Sequence, residues 1–270
     1  MRVAVLGLGE AGSAFASALA DAGDEVHGYD PAPVQAIDGV HRHRTSGAAV
    51  EGCSLVIAVT PASQARSVIE NVQGRLGSGV LYADLSTGSP GLKETLEEMV
   101  ARSGASFVDV ALMAPVPGRG LATPALASGP AAERYAVLIN GRGGRVEVVE
   151  GRAGAASARK LLRSVMMKGL AALLIESMEG ATRYDQGEWL WRHLTEQLAS
   201  IDEELMERLL SGTAAHAGRR LEEMEASRDL LAGMGVPADM TTATIARLRR
   251  IVEEGLPEIV TGTRIDQADR

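Results

Sequence analysis

Arg2-Val3-Ala4-Val5-Leu6-Gly7-Leu8-Gly9-Glu10-Ala11-Gly12 decides the fold. Five residues with an apolar run read as a short buried strand. The spacing G-x-G-x-x-G follows at once. Ser13 to Ala22 is rich in alanine and sets Phe15 and Leu19 at i,i+4, which predicts a helix. The three glycines have separate tasks in a strand-turn-helix unit. Gly7 permits the tight turn, Gly9 lets backbone approach a pyrophosphate, and Gly12 lets helix and strand pack closely. The opening of the helix, at Glu10 and Ala11, offers free N–H groups and a positive dipole end to phosphates. Glu25 to Tyr29 is a second strand, stopped by Asp30, Pro31 and Pro33. Asp30 stands 18 residues after Gly12, where a carboxylate accepts the ribose hydroxyl protons of a dinucleotide. The same charge repels a 2′-phosphate, so NAD is the expected cofactor. NADP stays possible through Arg42 and Arg44.

Outward from this unit the pattern repeats. Ser54–Val59, Val80–Leu85, Ser106–Leu112, Tyr135–Ile139 and Arg145–Val149 read as further strands. Helical stretches such as Pro90–Arg102 lie between several of them. Strands alternating with helices predict an α/β domain of Rossmann type with a mainly parallel sheet. The pattern changes near Gly151. Ala153–Tyr184, Glu188–Leu210, Ala214–Leu231 and Thr241–Glu253 read as helices, the last one capped by Asp239 or Thr241. The tail Thr261–Arg270 is polar and expected to be loose. The expected division is a dinucleotide-binding domain over 1–152 and an all-α domain over 153–270, joined by a long interdomain helix.

Composition narrows the classes of function. The chain is 46% hydrophobic and 23% charged, the balance of a folded globular protein. No apolar run reaches the roughly 18 residues of a membrane span, and Glu10 interrupts the N-terminal stretch too soon for a signal peptide. A net charge of −8 argues against sequence-independent nucleic-acid binding. Cys53 is single, and the five histidines show no ligand spacing, so no metal site is expected. His41 and His43 read as surface residues. A cytoplasmic protein is the default. Of 27 basic residues only Lys93, Lys160 and Lys168 are lysine. Arginine keeps its proton near neutral pH, so any lysine acid or base must be one of these.

Further motifs, in order, resemble the 3-hydroxyacid dehydrogenase superfamily, which includes 3-hydroxyisobutyrate and 6-phosphogluconate dehydrogenases. They are Gly7-Leu8-Gly9, Val59-Thr60-Pro61, Asp84-Leu85-Ser86-Thr87-Gly88-Ser89-Pro90, Phe107-Val108-Asp109-Val110-Ala111, and Gly154-Ala155-Ala156-Ser157-Ala158-Arg159-Lys160. The resemblance covers residues 1 to about 170. The remainder is similar to a subgroup of phosphogluconate dehydrogenase-like proteins with their own helical C-terminal domain. It implies that Thr60, Pro61, Ser86 and Thr87 lie along the cofactor. It also implies that Lys160 is the catalytic lysine at the start of the interdomain helix, and that Met113 and Ala114 begin the substrate segment. Two positions depart from the pattern. The usual Ser-Gly-Gly of the substrate segment is Leu112-Met113-Ala114-Pro115, and the usual Asn four residues after the lysine is Ser164. Both point away from the familiar substrates.

The residues fit hydride transfer between a hydroxy acid and its carbonyl. The alcohol proton must leave as the hydride leaves, and a group within hydrogen-bond reach must take it. Lys160 is that group here. Ser164, one turn on, shares its face and can bond the substrate or hold the amine. Arg163 either binds an anionic substrate or pairs with a glutamate. Lys93, among Glu94, Glu97 and Glu98, reads as a solvated helix charge. Ser86 and Thr87 follow a strand end, where they touch cofactor, cap the next helix, or do both. Tyr184, Trp189 and Trp191 wall a substrate pocket or form a helix or subunit contact. A homodimer through the helical half is expected, and in some relatives C-terminal residues reach the neighbouring site, here His216 and Arg219. Two other readings stay open: an imine reductase of the same architecture, and a dinucleotide-binding protein without turnover.

Overall fold

The computed structural model describes residues 1–260. The stretch Arg2–Leu6 forms β1 at the middle of one eight-stranded sheet. The other strands are β2 (Glu25–Tyr29), β3 (Val40–Arg42), β4 (Leu55–Ala58), β5 (Leu81–Asp84), β6 (Ser106–Leu112), β7 (Pro124–Ser128) and β8 (Arg145–Val148). Their order is β3-β2-β1-β4-β5-β6-β7-β8. All neighbours are parallel except β6 and β7. Strands buried on both faces read as continuous apolar runs, which is why β1, β4 and β5 are legible in the sequence.

Alternate residues feed two cores. Val3, Val5 and Ile57 point to the face covered by α1 (Glu10–Asp21) and α5 (Ala132–Asn140), where Phe15, Leu19, Tyr135 and Ile139 pack. Ala4, Leu6 and Val56 point to the face covered by α3 (Ala65–Val72) and α4 (Pro90–Ala101), where Ile69, Val72, Leu96 and Val100 pack. The short α2 (Ser46–Val50) joins that second face. The sheet is therefore wound on both sides, and the chain order reverses between β1 and β4. In such sheets the ligand crevice opens at the carboxyl ends of the strands on either side of that switch.

Some expectations are corrected. Tyr135–Ile139 is helical, within α5. Its buried positions Ala132, Tyr135, Ala136 and Ile139 have helical spacing, and Val137 between them is 72% exposed. β3 and β7 were not expected. β3 has three residues, and β7 begins on a proline, which a strand tolerates at its first position.

The chain divides into two compact units, one from Met1 to Ser164 and one beginning at Val165. The first turns of α6 (Ala155–Arg183), with Lys160, thus belong with the sheet. In the second unit α7 (Gly187–Ala199) and α8 (Glu203–Gly233) replace the expected helices over 188–210 and 214–231. The break falls at Ser200–Asp202 because Asp202 caps α8, its Oδ1 accepting the Leu205 N–H at 2.8 Å. No break occurs at 211–213. Instead α8 kinks at His216 (φ −128°, ψ 24°), and the Arg220 guanidinium bonds back to Thr213 Oγ1. The last helix, α9 (Asp239–Glu254), follows. The expected loose tail 261–270 lies outside the described residues.

Neither Asp239 nor Thr241 caps α9 through its side chain. The cap comes from Glu176 on α6. Its carboxylate accepts the Met240 N–H (2.7 Å), the Thr241 N–H (2.8 Å) and the Thr241 hydroxyl (2.6 Å). Burial pushes the Glu176 pKa up, and these donors more than offset that, leaving it below the ordinary glutamate value. A depressed folded-state pKa gives stability that is present above the unfolded value and lost as pH falls through the folded one. Glu176→Ala should therefore lower stability by about 1–2 kcal/mol at pH 7. Urea melts of the two proteins should converge as pH is lowered through the acid range.

Candidate functional site

The glycine turn is tight in the way its spacing demands. Gly7 adopts φ +91°, and its N–H donates to the Tyr29 carbonyl at 2.8 Å. A Cβ on Gly7 would lie 2.3 Å from the Val59 carbonyl oxygen. A Cβ on Gly12 would lie 1.9 Å from the Gly7 oxygen. These two positions admit only glycine without backbone movement. Gly9 is different, because a Cβ there meets no protein atom within 4 Å. Gly9 is the N-cap of α1, with exposed Glu10 and half-buried Ala11 behind it. An open face at a helix N-terminus, free of side chains, is what a bound pyrophosphate requires.

Asp30 sits at the end of β2. Its Oδ2 accepts the Leu8 N–H at 2.7 Å and its Oδ1 accepts the Ala32 N–H at 2.8 Å. The carboxylate is thus fixed to the glycine turn and keeps lone pairs for further donors. Asp30 lines a cavity of about 430 Å³ with Tyr29, Pro31, Arg42, His43 and Arg44. The Arg42 guanidinium is engaged there, donating to the carbonyls of Val34 (3.0 Å) and Ala32 (2.8 Å). His43 is half-buried and packs on His27, with His27 Nδ1 and His43 Nε2 2.7 Å apart. Burial, then His27, Arg2 and His41, hold the His43 pKa below the usual histidine value. His41 is exposed on β3, as expected of a surface residue, but its ring lies 5.3 Å from that of His27.

Across the switch point, Thr60 and Pro61 follow β4. The Thr60 hydroxyl oxygen is buried and has no hydrogen-bond partner among the described residues. An unmatched buried hydroxyl is uncommon and fits a ligand that supplies the missing partner. After β5, Ser86 and Thr87 point in different directions. Ser86 is buried and donates to Asp84 Oδ1 at 2.5 Å. Thr87 is exposed, and Lys160 Nζ donates to its Oγ1 at 2.9 Å. The structure therefore brings the helix lysine to the carboxyl end of β5. Neither Ser86 nor Thr87 caps α4; Ser89 does, accepting the Leu92 N–H at 3.3 Å.

Residues 2–130 match the NAD binding domain of 6-phosphogluconate dehydrogenase, and residues 181–251 match a domain of unknown function, DUF1932. The chain joins a 6-phosphogluconate dehydrogenase-type NAD-binding domain to a DUF1932 domain. Residues 2–130 thus carry an NAD(P)-binding domain of the 6-phosphogluconate dehydrogenase type. A glycerol-3-phosphate dehydrogenase [NAD(P)+] of Nitratidesulfovibrio vulgaris is 35% identical over 120 residues, covering 37% of this chain and 36% of that protein. The chain thus spans about a third of that relative's length. A conserved protein of unknown function, described as similar in structure to 3-hydroxyacid dehydrogenases, is 28% identical with a TM-score of 0.58. It covers 95% of this chain and 100% of its own. An imine reductase of Streptomyces aurantiacus is 20% identical with a TM-score of 0.79, covering 94% and 95%; at that identity the likeness is one of fold.

The other expected site residues are placed as follows. Ser164 is half-buried and Arg163 exposed, and among the described residues no carboxylate pairs with Arg163. The Met113 N–H is taken by the Pro124 carbonyl (2.8 Å). Met113 also lines a cavity of about 460 Å³ with Leu126, Asn140 and Arg145, while Ala114 is half-buried beside it. In the second unit, His216 and Arg219 are exposed, and Arg219 lines a groove with Arg220 and Arg247. Among the described residues no group of His, Cys, Asp or Glu is placed to hold a metal ion. No described helix is long and apolar enough to cross a membrane. Cys53 is buried, and burial pushes its thiol up to about 11, so it is no nucleophile at neutral pH.

The reading as a solvated charge fails for Lys93. Its side chain is 0% exposed, with Nζ 2.5 Å from Asp84 Oδ1 and 3.1 Å from Asp109 Oδ1. The sequence carried a signal. Lys93 lies three and seven residues before Leu96 and Val100, on the buried face of α4 and away from the exposed Glu98.

The glycine geometry separates binding from folding. Gly9→Ala should leave stability unchanged within about 0.5 kcal/mol. It should raise the NAD(P) dissociation constant at least about tenfold, because the new methyl occupies the open face. Gly12→Ala should instead cost about 1–3 kcal/mol of stability. Urea titration and calorimetry on the two variants test this contrast.

Proposed function

We propose that the protein is an NAD-dependent dehydrogenase or reductase that interconverts a small hydroxy acid and its carbonyl. The observation that carries this reading is the 2.9 Å bond from Lys160 Nζ to Thr87 Oγ1, which sets an amine at the strand end where the crevice opens, a base when neutral and an acid when protonated. The cradle of Gly7, Gly9 and Gly12, with Glu10 and Ala11 at the helix start, suits a pyrophosphate. Asp30 suits an unphosphorylated ribose. Thr60, Pro61, Ser86 and Thr87 border the remainder of the dinucleotide, Ser86 through its backbone. The nicotinamide supplies or accepts the hydride.

The chain's own groups handle the proton. Lys160 takes the alcohol proton during oxidation and returns it during reduction. Thr87 orients the amine. Ser164, one turn along α6, bonds the substrate oxygen or the amine. Arg163, without a carboxylate partner among the described residues, receives the substrate's anionic group, with Met113 and Ala114 on the opposite wall. The name of the glycerol-3-phosphate dehydrogenase relative agrees with alcohol chemistry, although the match covers 37% of this chain. Imine reduction on the same fold is the second reading, favoured by the structural likeness alone; a lysine at the proposed centre favours the alcohol.

The helical unit exposes Val165 (75%), Ile175 (69%), Trp189, Trp191 and Leu209. Such apolar exposure marks an association surface. A homodimer built on it is part of the proposal, with the aromatic cluster in the contact.

Lys160→Met should reduce oxidation of 3-hydroxyisobutyrate and related small hydroxy acids by at least about 10²-fold, the usual worth of a general base. Undiminished turnover would remove Lys160 from the mechanism. Wild type should bind NAD more tightly than NADP, and Asp30→Ala should erase that preference in a calorimetric titration. Light scattering should give twice the chain mass, and Trp191→Asp should halve it.

A further inference from the structure

Beneath Thr87 and Lys160 lies a buried cluster that the proposed chemistry does not use. Asp84 ends β5 and Asp109 lies on β6, and both are 0% exposed, as is Lys93 on α4. The Lys93 ammonium donates to Asp84 Oδ1 (2.5 Å) and to the Asp84 carbonyl (3.1 Å), and it forms an ion pair with Asp109 Oδ1 at 3.1 Å. From each carboxylate a short chain of bonds leads to one partner of the Lys160–Thr87 contact. Asp84 Oδ1 also accepts the Ser86 hydroxyl, and Thr87 is the next residue. Asp109 accepts the N–H groups of Gly154 and Ser157 (both 3.0 Å) and the Ser157 hydroxyl (2.7 Å). Ser128 completes the tie, accepting the Ala156 N–H and donating to Asp109 Oδ2. The first turn of α6 is thereby capped by a β6 carboxylate, and Lys160 follows Ser157 by three residues on that helix.

We infer that Lys93 is a positioning residue that holds Lys160 against Thr87. Its ammonium joins the two carboxylates that fix the β5 loop and the start of α6. Without it the two buried carboxylates would repel each other across adjacent strands. One would take up a proton or the strands would separate, and the Lys160–Thr87 distance would no longer be set. A neutralising charge alone would not require these bonds. The distinguishing feature is the tie between the two strands. This rests on Lys160 as acid and base in the proposed reaction.

The test is the rate at which the lysines react with N-hydroxysuccinimidyl acetate, read by peptide mass. Exposed Lys168 is the internal reference. In wild type Lys160 should react severalfold more slowly than Lys168. In Lys93→Met the Lys160 rate should rise about fivefold, the loosening expected when one hydrogen bond's net worth is lost. NAD binding should persist, weakened by no more than about fivefold through the loosened Ser86-Thr87 loop, because the cradle of Gly7, Gly9, Gly12 and Asp30 lies at other strand ends. The double variant Lys93→Met/Asp84→Asn keeps the net charge of the cluster while removing the tie, so it should show the same rise. A return to the wild-type Lys160 rate in the double variant would overturn the proposal in favour of simple charge balance. So would an unchanged rate in a folded Lys93→Met protein. Should both variants fail to fold, Ser157→Ala cuts the same chain without altering a charge. It should raise the Lys160 rate about twofold, a fraction of one bond's effect, and no rise there also overturns the proposal. If Lys160→Met retains turnover, the dehydrogenase mechanism fails. The acetylation rates still decide whether Lys93 holds Lys160 in place.

Discussion

Three charged side chains without solvent contact tie the carboxyl end of β5 to the middle of β6. Burying two carboxylates and an ammonium carries a desolvation penalty that their attraction offsets only when geometry and extra hydrogen bonds are good. Asp109 meets both conditions, with the Lys93 ion pair and backbone and hydroxyl bonds from the start of α6. Asp84 meets them in part: its Oδ1 takes bonds from Lys93 and Ser86, while its Oδ2 is buried with no hydrogen-bond partner among the described residues. Well-packed apolar residues of similar volume would serve stability as well. What they would not provide is direction. The ion cluster fixes one strand end relative to its neighbour, and so fixes the loop that carries Thr87 and the helix that carries Lys160.

The dinucleotide end of the same sheet is built on the opposite principle. There the geometry comes from the absence of side chains. Gly7 and Gly12 let backbone meet backbone, and Gly9 leaves its face open. Asp30 brings in a charge, held by the Leu8 N–H of the turn and the Ala32 N–H that follows β2. This half tolerates little variation in sequence and is therefore easy to read. Its strands are continuous apolar runs, its turn has fixed spacing, and Asp30 stands where the second strand must stop.

The rest was less legible for identifiable reasons. Lys93 was hidden by its acidic neighbours, because charge runs suggest solvent while helical spacing places that one lysine with Leu96 and Val100. Tyr135–Ile139 carries enough apolar residues for a strand, and only the exposure of Val137 shows the helical period. The α9 cap is supplied by Glu176, so no local motif announces it. The ends of α7 and α8 differ from the expected 188–210 and 214–231 because Asp202 is the residue that satisfies a helix start. For Lys93 and for the α9 cap the deciding partner is distant in sequence or lies on another turn of the same helix. The glycine turn, by contrast, is announced by the spacing within its own eleven residues, although Tyr29, Asp30 and Val59 help to hold it.

The substrate segment follows from the same sheet. β6 pairs antiparallel with β7 through Leu112 and Ala125, and the pairing continues one step further, with the Met113 N–H on the Pro124 carbonyl. A Ser-Gly-Gly stretch at this place would offer small side chains and backbone donors to an anion. Here the first of those donors is consumed by the sheet, Ala114 has no donor on its side chain, and Pro115 has no N–H at all. Under the proposed reaction the substrate's anionic group must then be met from the helix side. The fixed approach of α6 to β5 accordingly governs both where the proton is transferred and where the substrate is held.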